Sequence, residues 1–191
     1  VNGVKQRRFL TEDENFSSPT AALDAIIATL IVDTHEGRDM IVANVPGAYL
    51  HAEWSKKKNM IVKLGSQFAD ITCDVNKECE KYVIYEQKGK KRMKTLYLKV
   101  LKALYGSIEL ALLWYNLYSQ TLIKIGFQIN TYDNCMVNKI MNGKQCTIVF
   151  YVDNDKVSYQ DPKVVTEVIN DISKHFGELS VSRGKQHDFW G

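Results

Sequence analysis

The sequence predicts an α+β fold, a mostly antiparallel sheet with helices on one face. Two observations carry this. Asn142-Gly143 lies between two apolar runs, Cys135 to Met141 and Lys144 to Val152, and Asn-Gly in that setting signals a type I′ hairpin. Three other segments space their apolar residues as helices do, and two of these are opened by Ser-Pro or Asp-Pro and stopped by Gly. The order β-α-β-β-α-β, joined largely by hairpins, belongs to the α+β class.

At 191 residues the chain fits one domain, or one domain with a subdomain. A hydrophobic share of 45% with 25% charged residues is a globular composition and argues against disorder. The net charge of +3 permits nucleic-acid binding without arguing for it alone. The chain begins at Val1 and ends at Trp190-Gly191 straight after an apolar pattern, so it reads as a fragment of something longer. Its best apolar run, Ala25 to Val32, is far from the roughly 18–20 residues that span a bilayer. Cys73, Cys79, Cys135 and Cys146 lack the paired spacing of a zinc site and read as free thiols. His35, His51, His175 and His187 form no ligand pair at helical spacing.

Residues 1–16 are polar, with Lys5, Arg7 and Arg8 close together, as a solvated edge or a phosphate-contacting loop. Ser18-Pro19 opens a helix whose Leu23, Ile26, Ile27, Leu30 and Ile31 form a buried face, and Gly37 stops it. Met40 to Val45 is a buried strand interrupted by Asn44. Pro46-Gly47 breaks it, and Ala48-Tyr49-Leu50 begins a short helix. A polar residue ending a buried strand is either a functional group or a cap on the next turn.

Met60 to Leu64 is a short strand, and residues 65–80 are irregular or weakly helical. Lys81 to Glu86 and Thr95 to Val100 are two strands flanking a basic tip with Lys88, Lys90, Lys91, Arg92 and Lys94. Such a tip is a solvated loop or a phosphate contact. Leu104-Tyr105-Gly106 leads into an amphipathic helix over about 107–125, with Ile108, Leu112, Tyr115, Tyr118, Leu122 and Ile125 on one face. Phe127 to Ile129 is a short strand. After the Asn-Gly hairpin come Tyr151-Val152-Asp153-Asn154, a turn, and a strand over 155–159. Asp161-Pro162 then opens a helix carrying Val164, Val165, Val168, Ile169 and Ile172, stopped by Gly177, and residues 178–191 begin another strand.

Asp153, at the tip of a hairpin between apolar runs, is the carboxylate best presented to a bulky phosphate ligand. Asn44 to Leu50 ends another apolar run, and the question is whether the two places meet.

These stretches carry a resemblance. Tyr151-Val152-Asp153-Asn154 resembles the Tyr-Val-Asp-Asp hairpin of the reverse transcriptase domain of Ty1/copia-type retrotransposon polyproteins. Asn44-Val45-Pro46-Gly47-Ala48-Tyr49-Leu50 resembles that family's Asp-Val-x-x-Ala-(Phe/Tyr)-Leu strand end. Leu104-Tyr105-Gly106 followed by Trp114-Tyr115 resembles its Leu-Tyr-Gly…Trp-Tyr helix. Gly143-Lys144-Gln145-Cys146 and Arg183-Gly184-Lys185 also fit one branch of these elements. The similarity spans essentially all 191 residues in order.

The resemblance implies a right-hand polymerase fold with part of the fingers and most of the palm, the thumb and RNase H regions lying outside residues 1–191. It implies RNA-directed DNA synthesis, in which two Mg²⁺ ions stabilise the attacking and leaving oxygens of an in-line displacement. Its implied partners are an RNA or DNA template-primer, dNTP and the rest of a Pol polyprotein, with no membrane. The implied setting is intracellular, a cytoplasmic particle or the nucleus. It places Asp153, Asn44 and Asn154 at the catalytic positions and Asp153, Asn44 and Val45 at the metal positions. Tyr49, Ala48, Lys5, Arg7 and Arg8 fall at nucleotide-binding positions, and Tyr105, Gly106 and Glu109 at template-positioning ones.

The chain departs from the family at three of these places. Asn44 and Asn154 replace two of three metal carboxylates, and Glu109 stands where many members carry Gln. Losing two charges removes most of what holds two divalent ions together. The expectation is a polymerase domain with little or no activity, the alternative a non-catalytic nucleic-acid-binding or assembly module, a degenerate remnant.

Overall fold

The computed structural model describes residues 16–54, 59–184 and 189. Lys5, Arg7 and Arg8 lie outside them. In chain order the elements are α1 (Leu23–His35), β1 (Asp39–Asn44), α2 (Ala48–His51), β2 (Ile61–Gly65) and α3 (Gln67–Val75). A 3₁₀ turn (Lys77–Tyr82) follows, then β3 (Ile84–Lys88), β4 (Lys91–Lys99), α4 (Leu110–Lys124), β5 (Gln128–Ile129) and β6 (Met136–Met141). β7 (Lys144–Tyr151), β8 (Asn154–Tyr159), α5 (Pro162–Phe176) and β9 (Ser180–Arg183) complete the order.

The Asn-Gly hairpin forms as predicted. Asn142 and Gly143 both take positive φ, 49° and 76°, as a type I′ turn requires. β6 and β7 belong to a six-stranded sheet of order β5-β6-β7-β8-β1-β9 in which every pair is antiparallel. A second sheet, β2-β4-β3, is inserted between α2 and α4. Mixed α and antiparallel β structure is therefore as expected.

Strand alternation divides the large sheet into two faces. One carries Ile41, Ala43, Ile148, Phe150, Asp155 and Val157, and α4 and α5 cover it. Trp114 and Tyr118 of α4 stack with ring centroids 5.0 Å apart, and Phe176 of α5 packs edge-on to Trp114 at 5.2 Å. The opposite face carries Asn44, Val42, Asn154, Lys156, Val149 and Thr147, and α1 lies across part of it. The helices are thus on both faces, not one. Among the described residues no helix is long and apolar enough to cross a membrane.

Electrostatics explain α1. Lys156 is 2% exposed and pairs with Asp33 of α1, while Arg38, also buried, lies 3.8 Å from Asp33 and donates to the Thr147 hydroxyl at 3.2 Å. Burial pushes the Lys156 ammonium below the usual lysine range, against the pull of Asp33. A buried ammonium needs a carboxylate, so α1 turns Ile26, Thr29 and Asp33 inward. Of the expected apolar face only Ile26 is buried; Leu23, Ile27, Leu30 and Ile31 face out. Nor does Ser18-Pro19 open the helix. The Ser18 hydroxyl donates to the Pro19 carbonyl, Ala22 N–H donates to Asp133 at 2.7 Å, and α1 starts only at Leu23.

Other differences have equally local causes. The strand expected from Lys81 begins at Ile84, because the Asn76 side chain accepts from Glu78 N–H and winds 77–82 as a 3₁₀ turn. The expected basic tip shrinks to a turn at Gly89-Lys90, with Gly89 at φ 63°. Lys94 sits in β4, 2.9 Å from Asp70, and Arg92 lies 5.4 Å over the Tyr85 ring. α4 starts at Leu110, not 107, and buries Leu110, Trp114, Tyr118 and Leu122. α5 matches its signals: Asp161 accepts from Lys163 N–H at 2.9 Å and Gly177 ends it at φ 84°.

Candidate functional site

The strand end and the hairpin meet. β1 and β8 pair in register with Ala43 opposite Asp155 and Asn44 opposite Asn154. One residue further on, Val45 N–H donates to the Asp153 carbonyl at 2.8 Å. The two asparagines face each other on the sheet side away from α4, and Asn44 Nδ2 donates to Asn154 Oδ1 at 2.9 Å. Asn154 Nδ2 donates onward to the Phe189 carbonyl at 3.3 Å. Both asparagines and Asp153 are half-buried.

The hairpin turn is only Val152-Asp153, since Tyr151 already pairs with Asn154. Val152 adopts φ 57°, a left-handed conformation that a β-branched residue rarely takes. Trp114 explains how it persists: its indole N–H donates to the Val152 carbonyl from beneath. Trp114 in turn is wedged against Tyr118, Phe176 and the His51 ring. The core therefore sets the turn that carries Asp153.

α2 supplies the second wall. Gly47, at φ 61°, turns the chain after Pro46, and Ala48 is buried at once. His51 Nε2 lies 3.2 Å from the Pro46 carbonyl and steadies the turn. Tyr49 is half-buried and meets Tyr105 edge-on, with centroids 5.1 Å apart. Its hydroxyl pKa is raised, by burial first and then by the Asp153 charge, with Tyr105 and Tyr151 adding to it. Behind Tyr49 lies a small apolar cavity of about 40 Å³ between Pro19, Trp114, Phe150 and Val152.

The predicted site residues divide accordingly. Asn44, Val45, Ala48, Tyr49, Asp153 and Asn154 come together, with Tyr105 joined through the Tyr49 ring. Gly106 gives the chain its positive-φ bend, 86°, before α4. Glu109 ends that bend at the N-cap position of α4 and is 5% exposed, so it is set inward while Tyr105, at 54%, is open to solvent.

Sequence reasoning missed two groups. Trp114 was noticed only as part of a motif, not as the support of the turn. Asp155 is the other: it sits on the sheet face opposite Asn44 and Asn154, where it is fully buried and accepts a hydrogen bond from the Tyr118 hydroxyl. Among the described residues its Oδ1 has no hydrogen-bond partner. Burial pushes the Asp155 carboxyl up to about 8, Tyr118 opposing this and Asp153 adding to it. Period-two alternation counted back from the apolar Val157 and Tyr159 would have revealed that placement.

The donor set decides what the site can hold. At the meeting point are one carboxylate, Asp153, the amide oxygens of Asn44 and Asn154, and the Val45 carbonyl. One amide oxygen, on Asn154, already accepts from Asn44. Asp155 points away into the core. Among the described residues no group of three or more His, Cys, Asp or Glu side chains is placed to hold a metal. One negative charge against the four positive charges of two divalent ions is a poor match, and the residues do not fit a pair of Mg²⁺. They do fit a neutral clip: two amides joining strand end to hairpin, beside a lone carboxylate and an aromatic wall. No protein-family model matches the chain, and no curated protein matches it.

Proposed function

We propose that this chain is the fingers-and-palm part of a reverse-transcriptase-type domain that grips template-primer and nucleotide but, as written, adds little or nothing to a primer. The supporting observation is the meeting of Asn44, Asp153 and Asn154 at the paired ends of β1 and β8, with Tyr49 beside them. An antiparallel sheet that presents a strand end and a hairpin tip side by side, with Tyr105 exposed beside them, suits a polynucleotide too large for a closed pocket. Bound Mg²⁺ would supply stabilisation of the attacking and leaving oxygens, but this chain lacks the charges to hold two such ions.

The chain's own groups have a binding role. The tyrosines 49 and 105 offer ring faces and edges to a sugar or base. The Asn44–Asn154 clip keeps the hairpin at fixed height without a cation. On this reading the partners are an RNA or DNA template-primer, dNTP and the rest of a Pol polyprotein, and the setting is intracellular.

Fluorescence anisotropy of a labelled RNA–DNA template-primer tests the reading. Affinity should fall steeply as salt rises, because phosphate contacts release counterions. It should be unchanged by EDTA, and weakened by Tyr105→Ala, an exposed position. Absence of binding at low salt, or binding that needs a divalent cation, would overturn it.

A further inference from the structure

We propose that the outer face of α1 is a self-association surface on which a second copy of this chain docks, antiparallel, helix against helix. The proposal is independent of the polymerase reading.

α1 spends its inward face on Ile26, Thr29 and Asp33. That leaves Leu23 61% exposed, Ile27 48%, Leu30 39%, Ile31 65% and Val32 40%. These fall at helical spacing, so most of them form one stripe rather than scattered single residues. Ile27, Leu30, Ile31, Thr34 and His35 together form a shallow, open patch along it. Solvent-facing apolar stripes of this kind are uncommon on a soluble monomer and mark contact surfaces.

The occupant is identified by the ends of the stripe. Asp24 lies in the first turn of α1 and His35 in the last, both on the exposed side. A two-fold axis beside Thr29 and Leu30 places Asp24 of each copy opposite His35 of the other. The same register sets the small Ala28 against Ile31, so the helices can approach closely. Antiparallel pairing also opposes the two helix dipoles favourably. A C2 contact uses one patch twice, and this patch complements itself: an Asp24 carboxylate can accept from a His35 ring N–H at each end, and small side chains meet large ones between. The exposed side chains amount to on the order of 500 Å² per copy, or roughly 1,000 Å² buried in the pair, which is where specific but modest interfaces begin.

Sedimentation equilibrium of the full chain, over roughly 1 μM to 1 mM as a modest interface demands, is the test. The native chain should shift from monomer to dimer mass within that range. Ile31→Asp, at an exposed position, should leave the circular dichroism and melting of the monomer unchanged and weaken association at least about tenfold. Asp24→His should weaken it several-fold, and the swap Asp24→His with His35→Asp should restore it. A native chain that stays monomeric throughout overturns the proposal, and so does a dimer indifferent to Ile31→Asp. A dimer that Asp24→His does not weaken, or that the swap does not restore, overturns the antiparallel register.

Discussion

Replacing both Asn44 and Asn154 by Asp should convert a neutral clip into a repelling carboxylate pair. The native amides are 2.9 Å apart and half-buried. The double change removes one hydrogen bond, a loss of about 1 kcal/mol. It also sets two charges about 4 Å apart, worth about 4 kcal/mol at an effective dielectric near 20 and less where water reaches the pair. The expected loss is about 2–4 kcal/mol, or a Tm drop of about 5–15 °C for a chain of this size.

The sign with pH follows from the repulsion. Each carboxylate raises the folded-state pKa of the other above its unfolded value. The deficit is therefore small near pH 4, where the pair is protonated, and grows as pH rises through the raised folded-state value. Either single change should cost less than half as much, because one amide still donates to the neighbouring oxygen. The two effects are then strongly non-additive. Millimolar Mn²⁺ or Mg²⁺ should recover much of the loss in the double variant and leave the native chain unaffected. The assay is thermal melting at pH 4.5 and 7.5, with EDTA or divalent cation. A double variant as stable as the native chain in EDTA at pH 7.5 would refute the clip, as would purely additive single changes.

Lys156→Met should destabilise the fold by about 2–4 kcal/mol by leaving buried Asp33 with the longer, 3.8 Å ion pair to Arg38, and adding Asp33→Leu should recover much of that; denaturant melts read both. Asp155 is buried with its carboxyl pushed up to about 8, above its unfolded value. Native stability should therefore decline as pH rises from about 4 towards 8, and Asp155→Asn should flatten that slope in melts across the range. Trp114→Phe removes the indole donor to the Val152 carbonyl and should cost about 1–3 kcal/mol, with faster amide exchange at Val45 and Asn154 by NMR.

The parts of the fold legible in the sequence are those with local causes. Asn142-Gly143 fixes a two-residue turn by its own φ preferences, and Asp161-Pro162 with Gly177 brackets α5 in the same way. The site was legible as two motifs, and the register of β1 on β8 is what joins them. What could not be read has long-range causes. The inward face of α1 depends on Lys156, 123 positions from Asp33, so apolar periodicity placed the wrong residues inside. The start of α1 depends on Asp133, 111 positions from Ala22. The Asn44–Asn154 bond joins residues 110 apart, and neither asparagine alone announces it. The depth of Asp155, by contrast, was available from strand alternation.

On the proposed function, the Asn44–Asn154 amide pair stands where a polymerase would hold its metal ions. Primer extension on an RNA template with Mg²⁺ or Mn²⁺ tests it most directly, comparing the native chain with the Asn44→Asp, Asn154→Asp double variant. The native chain should give no extension, and the variant should extend the primer in a cation-dependent way. Robust Mg²⁺-dependent synthesis by the native chain would contradict it.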